Sequence, residues 1–208
     1  MKHTLPNLYP ITDTELSGLT HFEQVRRLIE GGASLIQLRD KTSPTGAFYV
    51  AAAESVAYAH ERGAQIIIND RVDVALASGA DGVHLGQDDL DPVHARRLLG
   101  DGKIIGYSTH SVAQAQAAIE LPVDYLAIGP VFTTSTKPEH EPVVGLEGVR
   151  AVRTVLGEMP LVAIGGITPR TAGLAFRAGA DTVAVISQLI SEPDKIAVRM
   201  REFIDIRA

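Results

Sequence analysis

The chain reads as an α/β protein, a single-domain (β/α)8 barrel spanning residues 1–208, and three observations predict it. Short apolar runs alternate with amphipathic stretches from end to end, and each kind occurs eight times. Strands that are buried on both faces read as continuous apolar runs, and parallel pairing requires a crossover helix between them. A Gly-Ala pair ends one helix and starts the next strand at Gly32-Ala33, Gly63-Ala64, Gly79-Ala80 and Gly179-Ala180, where glycine suits a left-handed helix terminus. The unusual polar groups all fall at the C-terminal ends of the strands, the end where such barrels build their sites. An open doubly wound sheet is the alternative architecture.

In chain order, LYPIT from Leu8 is the first strand and FEQVRRLIEGG the first helix; SLIQL from Ser34 leads into the Ala-rich helix from Thr45 to Arg62. QIII from Gln65 precedes DVALASG, and GVHL from Gly82 precedes DPVHARRLLG. KIIGYS from Lys103 is followed by SVAQAQAAI, DYLAI from Asp124 by LEGVRAVRTVL, LVAI from Leu161 by TPRTAGLAFRAG, and TVAVI from Thr182 by DKIAVRMREFI. At about 26 residues per unit there is no room for a lid domain, and no linker, low-complexity tract or charge run divides the chain.

Composition narrows the function. A net charge of -6 argues against nucleic acid or an anionic membrane surface as the main partner. No run approaches the ~20 apolar residues of a membrane helix, and the opening MKHTLPNLYP lacks the apolar centre of a signal peptide. The absence of cysteine removes thiolate catalysis and zinc-thiolate sites and suits a cytoplasmic setting. Homo-oligomer formation is compatible with all of this.

At the strand ends stand Q37-L-R39-D-K41, N69-D70-R71, G86-Q87-D88-D89, S108-T-H110-S111, GPVFTTSTKPEH from Gly129, G165-G166 and S187. Gly165 and Gly166 let backbone approach an anion, and Ile186-Ser187 would supply a second wall, the usual phosphate position between the last two loops of a barrel. A plain strand-to-helix turn is the competing reading. Asp70 and Asp89 end adjacent strands, roughly 5 Å apart, where two carboxylates repel unless a cation lies between them. Oxygen ligands without cysteine suit Mg²⁺. The other readings are helix N-caps for both, with Asp88 and Asp91 as rival ligands.

Arg39, Lys41 and Lys137 add more positive charge than a monophosphate requires, which points to a diphosphate as well. A Schiff-base lysine is the rival chemistry, but neither Lys41 nor Lys137 is visibly desolvated. His84 is read equally as interior packing or as site lining. His21, His60, His94 and His140 are expected in solvent.

Taken together, QLRDK, IINDRVDVALASGADGVHLGQDDL, IGYSTHS, GPVFTTSTK, AIGGI and VISQL resemble the thiamine-phosphate synthase family, in the family's order and over nearly the whole chain. The resemblance implies two phosphorylated substrates, a pyrimidine diphosphate and a thiazole phosphate or its carboxylated form. Gln37, Leu38, Arg39, Asp40, Lys41, Asn69, Ser108 and Lys137 would hold the diphosphate, with Mg²⁺ on Asp70 and Asp89. Thr134, Ser135, Thr136, Gly166, Ile186 and Ser187 would hold the thiazole phosphate, and Arg39, Lys137 and Ser108 would be catalytic.

The implied chemistry is departure of diphosphate from the pyrimidine methylene, followed by capture of the carbocation by the thiazole nitrogen. It needs charge stabilisation more than a strong base. The segment PEHEPVVG, Pro138 to Gly145, matches no part of the family's pattern. The rivals are a thiazole tautomerase, against which the diphosphate clamp argues, and a non-catalytic phosphate-ligand sensor, which would not need the metal carboxylates.

Overall fold

Ile66, Ile67 and Ile68 follow one another on a single strand, and each is 0% exposed. Successive side chains of a strand point to opposite faces, so both faces of this strand are covered. The computed structural model describes residues 5–134 and 142–206. In it β1 (Leu8–Thr12), β2 (Leu35–Leu38), β3 (Gln65–Asn69), β4 (Gly82–Leu85), β5 (Ile104–Thr109), β6 (Tyr125–Ile128), β7 (Leu161–Ile164) and β8 (Thr182–Val185) pair in parallel in chain order. The sheet closes where β1 pairs with β8, Tyr9 beside Ala184. The closed barrel rules out the open sheet.

Helices cover the outside: α1 (Thr14–Ser17), α2 (His21–Glu30), α3 (Thr45–His60), α4 (Val72–Ser78), α5 (Pro92–Leu99), α6 (Val112–Ala118), α7 (Gly145–Leu156), α8 (Pro169–Arg177), α9 (Ser187–Ile190) and α10 (Ile196–Ile204). The four-residue helices α1 and α9 were not legible in the sequence, because one turn is too short to show a 3.6-residue period. Asp13 caps α1, accepting the Leu16 N–H at 3.0 Å. As expected, Gly32, Gly63, Gly79 and Gly179 all have positive φ.

One large side chain of the barrel, Tyr125, is admitted by a glycine beside it. Gly106 lies beside Tyr125 in the β5–β6 register, and a Cβ on Gly106 would fall 2.0 Å from Tyr125 Cζ. Glycine here is the space that the tyrosine ring fills.

At the N-terminal rim a staple recurs. Asp81, just before β4, accepts the Ile66 N–H of β3 at 2.8 Å and pairs with His60 of α3 at 3.0 Å. Asp124, before β6, accepts the Ile105 N–H of β5 and an Arg96 N–H of α5, both at 2.7 Å. Asp181, before β8, accepts the Leu161 N–H of β7 at 2.8 Å and pairs with Arg153 of α7. His60 is exposed, as expected, with Nε2 beside the Asp81 carboxylate. These carboxylates lie at the end opposite the predicted site, where barrel residues contribute stability.

Candidate active site

Strand register brings the predicted polar residues to one mouth. A cavity of about 580 Å³ is lined by Gln37, Arg39, Lys41, Asn69, Asp70, His84, Asp89 and Ser108, among others. A second, of about 260 Å³, is lined by Thr133, Thr134, Gly165, Gly166, Ile186 and Ser187 with their neighbours. Ser108, His110, Ile164, Ala184 and Ile186 border both, so the two cavities adjoin.

In the larger cavity Asp70 leaves β3 with φ of 61°, left-handed backbone that aspartate adopts at some cost. Its carboxylate receives Lys41 Nζ at 2.6 Å and meets the carboxyl of Asp89. Burial, together with Asp70, pushes the Asp89 carboxyl above its usual range, although the Gly86 N–H donates to it at 2.7 Å. Two half-buried carboxyls in contact call for a proton or a cation between them. Neither caps a helix: the residue flanking α4 is Arg71, without a side-chain cap bond. Asp91 does cap, accepting the Val93 N–H at 2.7 Å, which removes it as a rival ligand. Asp88 lines the cavity. Among the described residues no cluster of three or more histidine or acidic side chains has metal-binding geometry. A two-carboxylate site is what Mg²⁺ takes when substrate and water complete its shell.

The cations differ in their surroundings. The Lys41 side chain is 55% exposed, which leaves it poorly suited to Schiff-base chemistry. The Arg39 guanidinium, 12% exposed, is aimed by Asp13 at 3.0 Å, a partner that sequence spacing did not reveal. Leu38 is fully buried and lies outside the cavity lining. Asp40 also stands outside it: its carboxylate accepts the N–H groups of Thr42 and Ser43. Burial opposes that charge, but these bonds and His21 outweigh it, holding the Asp40 carboxyl at about 2.

The floor of the cavity is a hydrogen-bonded chain that crosses the barrel. Gln37 Nε2 donates to Tyr9 Oη at 3.0 Å, Tyr9 Oη meets Tyr125 Oη at 3.1 Å, and Tyr125 Oη meets His84 Nδ1 at 2.9 Å. His84 Nε2 then meets Ser108 Oγ at 2.8 Å. The two readings of His84 are thus both realised: it is 8% exposed, stacks on Tyr125 and lines the cavity. Burial raises both tyrosine pKa values above 10 and keeps the phenols neutral. Tyr9 and Tyr125 escaped sequence reading because the pair is 116 residues apart.

In the smaller cavity the glycines are required by close approach. A Cβ on Gly165, at φ of 100°, would lie 2.6 Å from Pro130 Cα; one on Gly166, at φ of 64°, would lie 2.5 Å from the Thr133 carbonyl. His110 Nδ1 donates to the Gly129 carbonyl at 2.7 Å, which fixes the ring at the border of the two cavities. Ser135, Thr136, Lys137 and His140 lie outside the described residues. His21, expected in solvent, is 3% exposed.

The family model described as thiamine monophosphate synthase matches residues 8–189. The chain is 44% identical to the thiamine-phosphate synthase of Chloroflexus aurantiacus over 91% of its own length and 88% of the relative's. It is 45% identical to that of Methanospirillum hungatei over 96% of both. A solved thiamine phosphate pyrophosphorylase from Pyrococcus furiosus superposes with a TM-score of 0.86 at 37% identity, covering 95% of this chain and 93% of the other. With this match over most of its length, on a closed barrel, the chain belongs to the thiamine monophosphate synthase family.

Proposed function

We propose that the chain condenses hydroxymethylpyrimidine diphosphate with thiazole phosphate, giving thiamine phosphate and diphosphate in thiamine biosynthesis. The observation that carries this reading is the shared border of the two cavities. A cavity lined by cations and carboxylates adjoins one lined by glycines and hydroxyls, so two anionic substrates can bring their reacting atoms together while their charged groups stay apart.

In this reading the bond between the pyrimidine methylene and diphosphate breaks with its electron pair on the departing oxygen, and the thiazole nitrogen supplies the pair for the new C–N bond. Arg39 and Lys41 hold the departing anion, and Lys137 is assigned the same task from its place in the sequence. Ser108, held by His84 at 2.8 Å, offers a hydroxyl on the border. Gly166, Ile186 and Ser187 receive the thiazole phosphate, together with Thr134, Ser135 and Thr136. Asp70 and Asp89 fit a bound Mg²⁺, since their carboxyls meet with Lys41 alone, among the described residues, beside them, next to the proposed diphosphate. When bound, Mg²⁺ would neutralise charge on the leaving group. The apolar Ile164, Ala184 and Ile186 limit water near the carbocation. We assign the reaction to the cytoplasm, in keeping with a cysteine-free chain.

The test incubates purified protein with both substrates, with Mg²⁺ or with EDTA, and scores thiamine phosphate by mass. Metal-dependent product is expected. Folded protein that binds thiazole phosphate yet forms no product under either condition would favour the tautomerase or sensor reading.

A further inference from the structure

The connection from β2 to α3 carries Arg39 and Lys41 into the larger cavity, and both of its ends are tied to one buried imidazole outside that cavity. The Arg39 N–H donates to Thr12 Oγ1 at 3.3 Å, and Thr12 Oγ1 lies 2.8 Å from His21 Nδ1. His21 Nε2 lies 3.1 Å from Asp40 Oδ2, while Asp40 Oδ1 accepts the Thr42 N–H at 3.0 Å and the Ser43 N–H at 2.8 Å. A nitrogen facing a carboxylate carries the hydrogen, so Nε2 donates and Nδ1 accepts the threonine hydroxyl. The bonds then run in one sense, from threonine through histidine to aspartate.

One turn further along α2, Gln24 accepts the Asp13 N–H at 3.0 Å, and Asp13 in turn aims the Arg39 guanidinium at 3.0 Å. His21 lies on the buried stripe of α2 with Val25 and Leu28, its ring 5.5 Å from that of Phe48. An apolar residue would fill that place at lower desolvation cost. What the imidazole adds is a pair of bonds, one to Asp40 within the Arg39–Ser43 connection and one to Thr12, which receives the Arg39 N–H.

We propose that His21 is a positioning residue for diphosphate recognition: through Thr12 and Asp40 it fixes the backbone that presents Arg39 and Lys41. The inference rests on the proposed function, in which those two cations meet the diphosphate. Long cationic side chains grip best when the backbone beneath them is already ordered.

Thr12→Val, Thr12→Ser and His21→Phe test it, with two readouts: calorimetric binding of inorganic diphosphate in the presence of Mg²⁺, and the KM of each substrate. Thr12→Val and His21→Phe are expected to weaken diphosphate by roughly tenfold or more and to raise the pyrimidine KM similarly, leaving the thiazole KM within about twofold. Thr12→Ser, which keeps the hydroxyl, should match the parent. Unchanged diphosphate binding in both disruptive variants, or equal losses for the two substrates, would overturn the assignment. Should His21→Phe fail to fold, Thr12→Val decides, since it leaves the imidazole in place. A parent protein that neither binds diphosphate nor makes thiamine phosphate would refute the functional reading itself, whereas an active parent with unaffected variants refutes only the role of His21.

Discussion

Asp89 carries a carboxyl held near a second carboxyl and partly out of water, an arrangement that costs stability unless something cationic uses it. Asp89→Ala is therefore expected to lower kcat by roughly a hundredfold or more with the unfolding temperature unchanged or raised. Near-normal turnover would remove Asp89 from the mechanism. Gly166 fails differently. Its φ of 64° and the Thr133 carbonyl 2.5 Å from a would-be Cβ leave no place for a side chain. Gly166→Val should raise the thiazole phosphate KM by roughly tenfold or more, and an unchanged value would argue against the phosphate loop. The Asp70–Asp89 pair was legible because adjacent strand ends must lie close together. His21 was misplaced, although its spacing to Val25 and Leu28 marks the buried face of α2; an ionisable residue on an apolar stripe was the available signal. Asp13 gave no signal, since its bond to Arg39 depends on the unread helix α1.

At the scale of elements, the strands could be read because burial on both faces leaves only apolar residues to choose from. The cross-barrel chain from Gln37 to Ser108 could not, because it joins strands far apart in sequence through interior positions that elsewhere carry ordinary core residues. The rim staples belong to this scale too. Asp124 satisfies the Ile105 N–H and an Arg96 N–H at once, and a buried bond to a charged group contributes about 1.5–3 kcal/mol. Asp124→Ala should thus lower the unfolding temperature by roughly 5–10 °C for a chain of this size, with both KM values unaltered. Circular dichroism melts and steady-state kinetics on one preparation check this, and a kinetic defect without a stability loss would contradict it.

For the whole molecule, three buried hydroxyl or imidazole groups and one carboxylate set opposing pH limits. His21 is held below 6.5 chiefly by burial, so the unfolded chain takes up its proton first and stability falls as pH drops through 6.5. Asp40, at about 2 against 3.8 unfolded, adds a loss as pH falls from 3.8 towards 2. Tyr9 and Tyr125 are raised above 10, so the unfolded chain ionises first and stability falls as pH rises beyond 10. Urea unfolding between about pH 3 and 11 should trace a dome. Tyr125→Phe should flatten its alkaline limb, and an unaltered limb would show that the phenol is not responsible.

The staples at Asp81, Asp124 and Asp181 bind β3 to β4, β5 to β6 and β7 to β8, and so fasten three successive pairs at the barrel's base. The connections that pass from one pair to the next, after β4 and after β6, begin at the other end of the barrel with Asp89 and with residues 129–134. The helices of those connections, α5 and α7, return Arg96 and Arg153 to the next staple, so the loops before them are held between fastened elements. Swapping those loops between relatives, or lengthening them to admit a larger second substrate, would alter what the protein accepts while its foundation stays fastened.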